Sequence, residues 1–192
     1  MRVLVAFDKF KDALGASQVC AAAAAALREI HPEWQLDLCP LADGGDGFVD
    51  VLTRAAGGAF HRTQVTGPRG GQVEATFGVA EVPAAAQAIL GHKRVAIVEM
   101  AQASGLALLP ADQRDPWHTG TRGTGELLRA AANAGVDGIL LGVGGSATHD
   151  VGLGALSVLG LSCHGVDGKV VELPIPQTWA AVASISGKFD SS

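Results

Sequence analysis

"GILLGVGGSATHD", Gly138 to Asp150, decides how the rest of this chain is read. An apolar, strand-like segment runs into Gly142, Gly144 and Gly145, passes through small residues and ends on an acid. In open α/β sheets the turn after a strand is where ligands bind. Consecutive glycines let backbone N–H groups line an anion nest, and the N-terminus of a following helix adds partial positive charge. Ser146 and Thr148 add hydroxyl donors. A carboxylate such as Asp150 is repelled by a phosphate unless a divalent cation lies between them or the acid takes a proton. Loop and acid together point to phosphate plus metal, or to phosphate plus a nucleophile that must lose a proton. The plainer alternative is a tight strand-to-helix turn.

Working outward, the segments on either side alternate strand and helix. "RVLVAF" suits a strand buried on both faces, Ser17 caps a helix through the alanines to Ile30, and Pro32 stops it. "QLDLCPL" reads as a second strand, Asp43 to Gly47 as a glycine-rich break, and Phe48, Leu52 and Ala55 as one helical face closed by Gly57 and Gly58. From Phe60 the texture changes. "FHRTQVT" and "QVEATFGVA" flank "GPRGG" as a hairpin, and "RVAIVEMA" is another strand. Thr124 caps a helix ended by Gly135, and "LSCHGVDGKVVEL" predicts a second hairpin over Asp167-Gly168. The fold class is α/β in two domains. Residues 1–58 form an incomplete Rossmann-like parallel βαβα piece, and 59–192 a mixed α/β domain with hairpins. Two strands make a thin sheet with open edges, so self-association through the unfinished domain is expected.

Composition narrows the function classes. The chain has 192 residues, 48% of them hydrophobic, which is enough for a sizeable core. A net charge of −5 with only 17% charged residues argues against a nucleic-acid footprint. Cys20, Cys39 and Cys163 are widely spaced without a metal-ligand pattern, which suits reduced thiols in the cytoplasm. No window approaches a membrane span and no signal-peptide core is visible, so no membrane partner is expected. A Walker A loop is absent, because neither Gly168-Lys169 nor Gly187-Lys188 is followed by Ser or Thr. Gly142-x-Gly144-x-x-Ala147, with Asp167 downstream, does match a dinucleotide pattern and keeps an oxidoreductase as a lesser alternative.

Polar residues gather after the first two strands: Asp8, Lys9 and Lys11, then Asp43, Gly44, Gly45 and Asp46. Asp46 as a helix cap, Asp43 as a turn residue and the lysines as a solvated loop are the structural alternatives. Arg122, just before a helix, can clamp a carboxylate or phosphate or simply lie on the surface. Of the histidines only His149, inside the loop, merits attention.

Taken together, "VLVAFDKFKDALGASQV", "PLADGGDGFVD", "VTGPRGGQVEA", "VEMAQASGLALLP", "RDPWHTGTRGTGELLRAA" and "GILLGVGGSATHDVGLGAL" resemble the bacterial glycerate kinases of the glycerate 2-kinase type. The six occur in that family's order across nearly all of residues 1–185. The resemblance implies phosphoryl transfer from ATP, with Mg²⁺, to a hydroxyl of D-glycerate, giving 2-phosphoglycerate or the 3-isomer. It implies a cleft between two α/β domains. Asp8, Lys9 and Lys11 match its first motif, Asp43 to Asp46 its second and Gly144 to Asp150 its third. Phosphoryl transfer needs positioning and charge neutralisation. The expected roles are Lys9 or Lys11 on phosphate oxygens and Asp43 and Asp46 near Mg²⁺ or the acceptor hydroxyl. Gly144, Gly145, Ser146 and Thr148 would face an anionic group and Arg122 the substrate carboxylate, with Asp150 catalytic.

Two departures stand out. The family has Asn then Asp-Gly-Gly where this chain has His149-Asp150-Val151-Gly152, so Val151 puts a branched side chain where glycine is free to take positive φ. Family members are also about twice as long, which predicts a C-terminally truncated relative. A catalytically incomplete fragment, acting at most as a binding or assembly module, is therefore the main alternative to an active kinase.

Overall fold

A computed structural model describes residues 1–11 and 13–188. The chain opens with β1 (Arg2–Val5), α1 (Ala16–Ile30) and β2 (Gln35–Leu38), the two strands pairing in parallel from Arg2–Gln35 to Val5–Leu38. α1 begins one residue before Ser17. Its entry is secured by Gln18, whose side-chain oxygen accepts the Gly15 N–H at 3.0 Å, rather than by a Ser17 cap. Val19, Cys20 and Ala24 are the buried face of this helix.

α2 (Phe48–Ala55) follows, then β3 (Ala59–Thr66) and β4 (Gln72–Glu81), which form the expected hairpin around Gly67–Gly71. A short α3 (Ala84–Leu90) precedes β5 (Arg94–Glu99), and α4 (Ala101–Ser104) and α5 (Arg122–Ala132) lead to β6 (Gly138–Gly142). The four strands lie in the order β3-β4-β5-β6, with β4–β5 antiparallel and β5–β6 parallel. α5 starts two residues before Thr124, whose hydroxyl instead bonds to that of Ser104 at 2.7 Å. α6 (Leu153–Val158), β7 (Leu161–His164) and β8 (Ser184–Gly187) complete the described chain.

Each face of the four-stranded sheet buries an apolar layer. On one face Val65, Phe77, Ala96 and Val98 pack against Leu127 and Ala131 of α5 and Ala103 of α4. On the other, Ala80, Val95 and Ile97 pack against Val49 of α2, with Phe48 and Leu52 beside it. α2, grouped by its sequence with the first two strands, thus adds its apolar stripe to the core of the larger sheet. Gly78 permits this approach: a Cβ there would lie 1.8 Å from Thr53 Oγ1. The buried Thr53 hydroxyl finds no hydrogen-bond partner among the described residues.

The second predicted hairpin is present but shorter than expected. Around Asp167-Gly168 the chain turns back with Gly165 N–H on Lys169 C=O and Val171 N–H on Cys163 C=O, bridging only at His164 and Val170, while β7 makes its longer antiparallel pairing with β8. Val166 and Val170 are exposed, so no buried face extends the hairpin register. Among the described residues no helix is long and apolar enough to cross a membrane.

Candidate active site

The glycines of the opening stretch face another glycine loop. Gly144 N–H donates to Gly44 C=O at 2.8 Å. A Cβ on Gly144 would sit 2.6 Å from Gly45 Cα, and one on Gly142 would sit 2.6 Å from Gly44 C=O. The loop after β6 and the loop before α2 therefore touch backbone to backbone, which only residues without side chains allow. From the other side the loop is held by segment 101–106: Leu106 N–H donates to Gly145 C=O at 2.8 Å and Ala147 N–H to Ser104 C=O at 2.9 Å. Close packing of two loops thus accounts for the glycine run without any ligand.

Around this junction stand Lys9, Asp43 and Asp46. Lys9 Nζ lies 3.3 Å from Asp43 Oδ1 and 3.8 Å from Asp8 Oδ1, and Asp8 Oδ1 also accepts Lys9 N–H at 2.6 Å. Asp43 Oδ1 accepts Gly45 N–H at 3.1 Å, and this bond, reinforced by Lys9, holds the Asp43 carboxyl below the usual range. Asp46 is exposed, its Oδ1 within 3.0 Å of where a Gly145 Cβ would be. Lys9, Lys11 and Asp46 line a cavity of about 430 Å³ with the turn that opens α1, Gly15 to Gln18. Residues from the first, second and third motifs are thus brought together.

Three expectations change. Asp150 is 1% exposed and does not face this cavity. Its Oδ2 accepts Thr121 N–H at 2.8 Å, Thr121 Oγ1 at 2.7 Å and Gly154 N–H at 3.0 Å, while Oδ1 accepts Gly152 N–H at 3.3 Å. The anion at the N-terminus of α6 is therefore the protein's own carboxylate, tying α6 to the start of α5. Ser146 and Thr148 are satisfied locally, their hydroxyls 2.8 Å apart and Thr148 N–H donating to Ser146 Oγ at 3.0 Å. Arg122 pairs with Glu126 at 3.2 Å and lines a small separate depression with Gly154, Ser157 and Glu172. It is not among the residues lining the Lys9 cavity.

Reasoning from sequence missed Glu99. This last residue of β5 is 1% exposed, and its Oε2 accepts Val49 N–H at 3.1 Å, closing the N-terminus of α2 from the sheet below. Burial pushes its carboxyl above the ordinary value, against the opposing bonds from Val49, Gln102 and Gly47. Glu99 lines a second cavity, about 340 Å³, on the other side of the α2 N-terminus. An acid ending the otherwise apolar run "VAIVE" was the available signal.

The donor set limits how a magnesium ion could be held. Among the described residues no group of three or more His, Cys, Asp or Glu side chains is placed to hold a metal. A Mg²⁺ that arrives with a nucleotide needs only one or two carboxylates, because phosphate oxygens and water complete its shell. Asp43 and Asp46, both exposed on one loop, fit that lesser demand.

A family model described as the glycerate kinase family matches residues 3–190. The chain is 40% identical over 171 residues to the glycerate 2-kinase of Escherichia coli (strain K12), covering 89% of this chain and 42% of that one. It is 40% identical over 185 residues to a glycerate kinase of Bacillus cereus, covering 96% and 46%. A crystal structure of a protein assigned as glycerate kinase 2 from Salmonella typhimurium LT2 superposes with a TM-score of 0.76 at 38% identity, covering 97% of this chain and 47% of that one. The chain spans less than half the length of these relatives.

Proposed function

This chain belongs to the glycerate kinase family, and from that premise we propose that it carries the phosphate-handling site of an ATP-dependent kinase acting on a hydroxyl of D-glycerate. The observation that carries this reading is the Gly144–Gly44 backbone contact, beside which Lys9 and Asp46 line one cavity and Asp43 pairs with Lys9. Lys9 and Lys11 line that cavity and supply the positive charge that ATP phosphates require. Asp43 and Asp46 would hold the Mg²⁺, which when bound neutralises charge on the phosphates. Because Asp43 already pairs with Lys9, the lysine, from the segment after β1, stands beside the loop that would hold the metal. The product is 2-phosphoglycerate, in keeping with the name of the E. coli relative. Asp150 takes a supporting part, holding the loop from behind. The lack of a spanning helix among the described residues and the sparse charge suit a cytoplasmic protein. Exposed Leu4 and Leu38 on a two-stranded sheet support self-association.

The test is release of ADP that depends on both ATP and D-glycerate. Lys9→Met should lower kcat by about 100-fold, the scale of losing one preorganised charge on the transferring group, while the melting temperature holds. Parental turnover by Lys9→Met would refute the assignment. Nucleotide binding without ADP release would favour a binding module instead.

A further inference from the structure

The sheet face beside α2 carries groups that the phosphate site does not use. Arg62 of β3 pairs in register with Thr76 of β4, and the neighbouring pair, Phe60 with Gly78, continues to Ile97 of β5. Side chains two apart on a strand share a face. Arg62, Thr76 and Glu99 therefore lie in one row across three strands, one step beyond the Phe60–Gly78–Ile97 row. α2 covers the Gly78 row through Thr53 and stops at Glu99, leaving the next row open as the 340 Å³ cavity. Gln102 joins its lining, its Oε1 within 3.4 Å of Thr76 N–H. Arg54 of α2 reaches over the Phe60 ring, 5.3 Å from its centroid, and puts a second guanidinium in the lining.

We infer that this cavity is the acceptor site, taking a small hydroxy acid with its carboxylate on Arg62 and Arg54 and its hydroxyls on Glu99, Gln102 and Thr76. The inference rests on the kinase reading above. The chemistry of the lining selects the ligand class. Two guanidiniums match a carboxylate, and a buried carboxylate accepts from an alcohol hydroxyl. A ligand bearing several phosphates would meet the buried Glu99, and an amine would meet the two arginines. The arginines' present partners, Asp50 at 2.7 Å and Glu74 at 3.5 Å, are exposed ion pairs of the kind that exchange readily. Volume agrees with a compact ligand. Position agrees as well: this cavity and the Lys9 cavity share Gly47 and Asp50, so a hydroxyl at Glu99 is next to the phosphate side.

Calorimetric titration of the chain with D-glycerate, and separately with Mg²⁺-ATP, tests the assignment. Arg62→Ala and Thr76→Val, with Glu99→Gln beside them, should each weaken D-glycerate by roughly tenfold, as loss of one well-made polar contact implies. Mg²⁺-ATP should bind all three as it binds the parent. Glycerol, lacking the carboxylate, should bind parent and Arg62→Ala equally weakly. Parental D-glycerate affinity in Arg62→Ala and Thr76→Val overturns the inference, even if Glu99→Gln misfolds. A parent that binds Mg²⁺-ATP but not D-glycerate overturns it too and leaves the phosphate site standing, whereas a parent that binds neither overturns both readings.

Discussion

Asp150→Asn tests whether this acid is structural or chemical, because the two roles predict different variables to move. In the folded chain three donors converge on Oδ2 at 2.7–3.0 Å, and Gly152 N–H meets Oδ1 at 3.3 Å. An asparagine has one acceptor oxygen. If that oxygen takes the place of Oδ2, its NH₂ faces the Gly152 N–H, donor against donor. The reverse orientation sets the NH₂ against three donors and is worse. Hydrogen bonds to a charged group are worth about 1.5–3 kcal/mol against roughly 0.5–1.5 for neutral ones. Weakening the Oδ2 cluster and leaving one part-buried N–H unmet should cost about 2–4 kcal/mol in all. For a chain of this size each kcal/mol lowers the melting temperature by about 2–4 °C, so the variant should melt roughly 5–15 °C below the parent. Thermal unfolding by circular dichroism reads this directly, with the exposed Asp112→Asn as the surface control within about ±0.5 kcal/mol. A variant that melts within about 1 °C of the parent but loses nucleotide binding would refute the structural role and return Asp150 to the chemistry.

Three further outcomes follow from the same geometry. Val151 sits at φ 47° with its side chain 74% exposed. A left-handed L-residue costs about 1–2 kcal/mol, offset in part by the unfolded-state entropy of glycine, so Val151→Gly should raise stability by about 0.5–1 kcal/mol in urea titrations; a lower midpoint would contradict the strain. Gly144→Ala drives a Cβ to 2.6 Å from Gly45 Cα and should destabilise by about 1–3 kcal/mol. Gly71→Ala, with open space around it, should stay within about 0.5 kcal/mol, and equal effects of the two would disprove the loop contact. Glu99 has a folded pKa raised by burial, so the folded state holds its proton to higher pH than the unfolded one. Its contribution is fully present below the ordinary value of about 4.3 and is lost as pH rises through the folded value. Unfolding of the parent against Glu99→Gln should show that difference grow across this window and then level off; parallel curves would refute it.

Much of the fold was legible in local pattern. The β-branched run of β1, the alanine-rich α1, the hairpin around "GPRGG" and the strand "GILLG" each rest on interactions between near neighbours or on alternation along one segment. The strained position at Val151 was legible for the same reason, since φ belongs to one residue and its side chain. Tertiary structure decided the partners. The hairpin over Asp167-Gly168 forms only one bridge, and β7 takes its longer partner in β8, twenty residues on, because turn chemistry does not extend a register without a buried face. α2 lay in sequence beside β2 and packed on the other sheet, a choice made by Gly78 opening a place for Thr53. The two glycine loops show the limit most clearly. Sequence marks where side chains are absent, but what enters the space so left is a non-local fact, and here it is backbone from a loop far earlier in the chain, Gly44 against Gly144. Asp150 and Glu99 follow the same logic: a carboxylate's role is set by the donors that surround it, and those donors come from Thr121, Gly154 and Val49, which only folding brings within 3.1 Å.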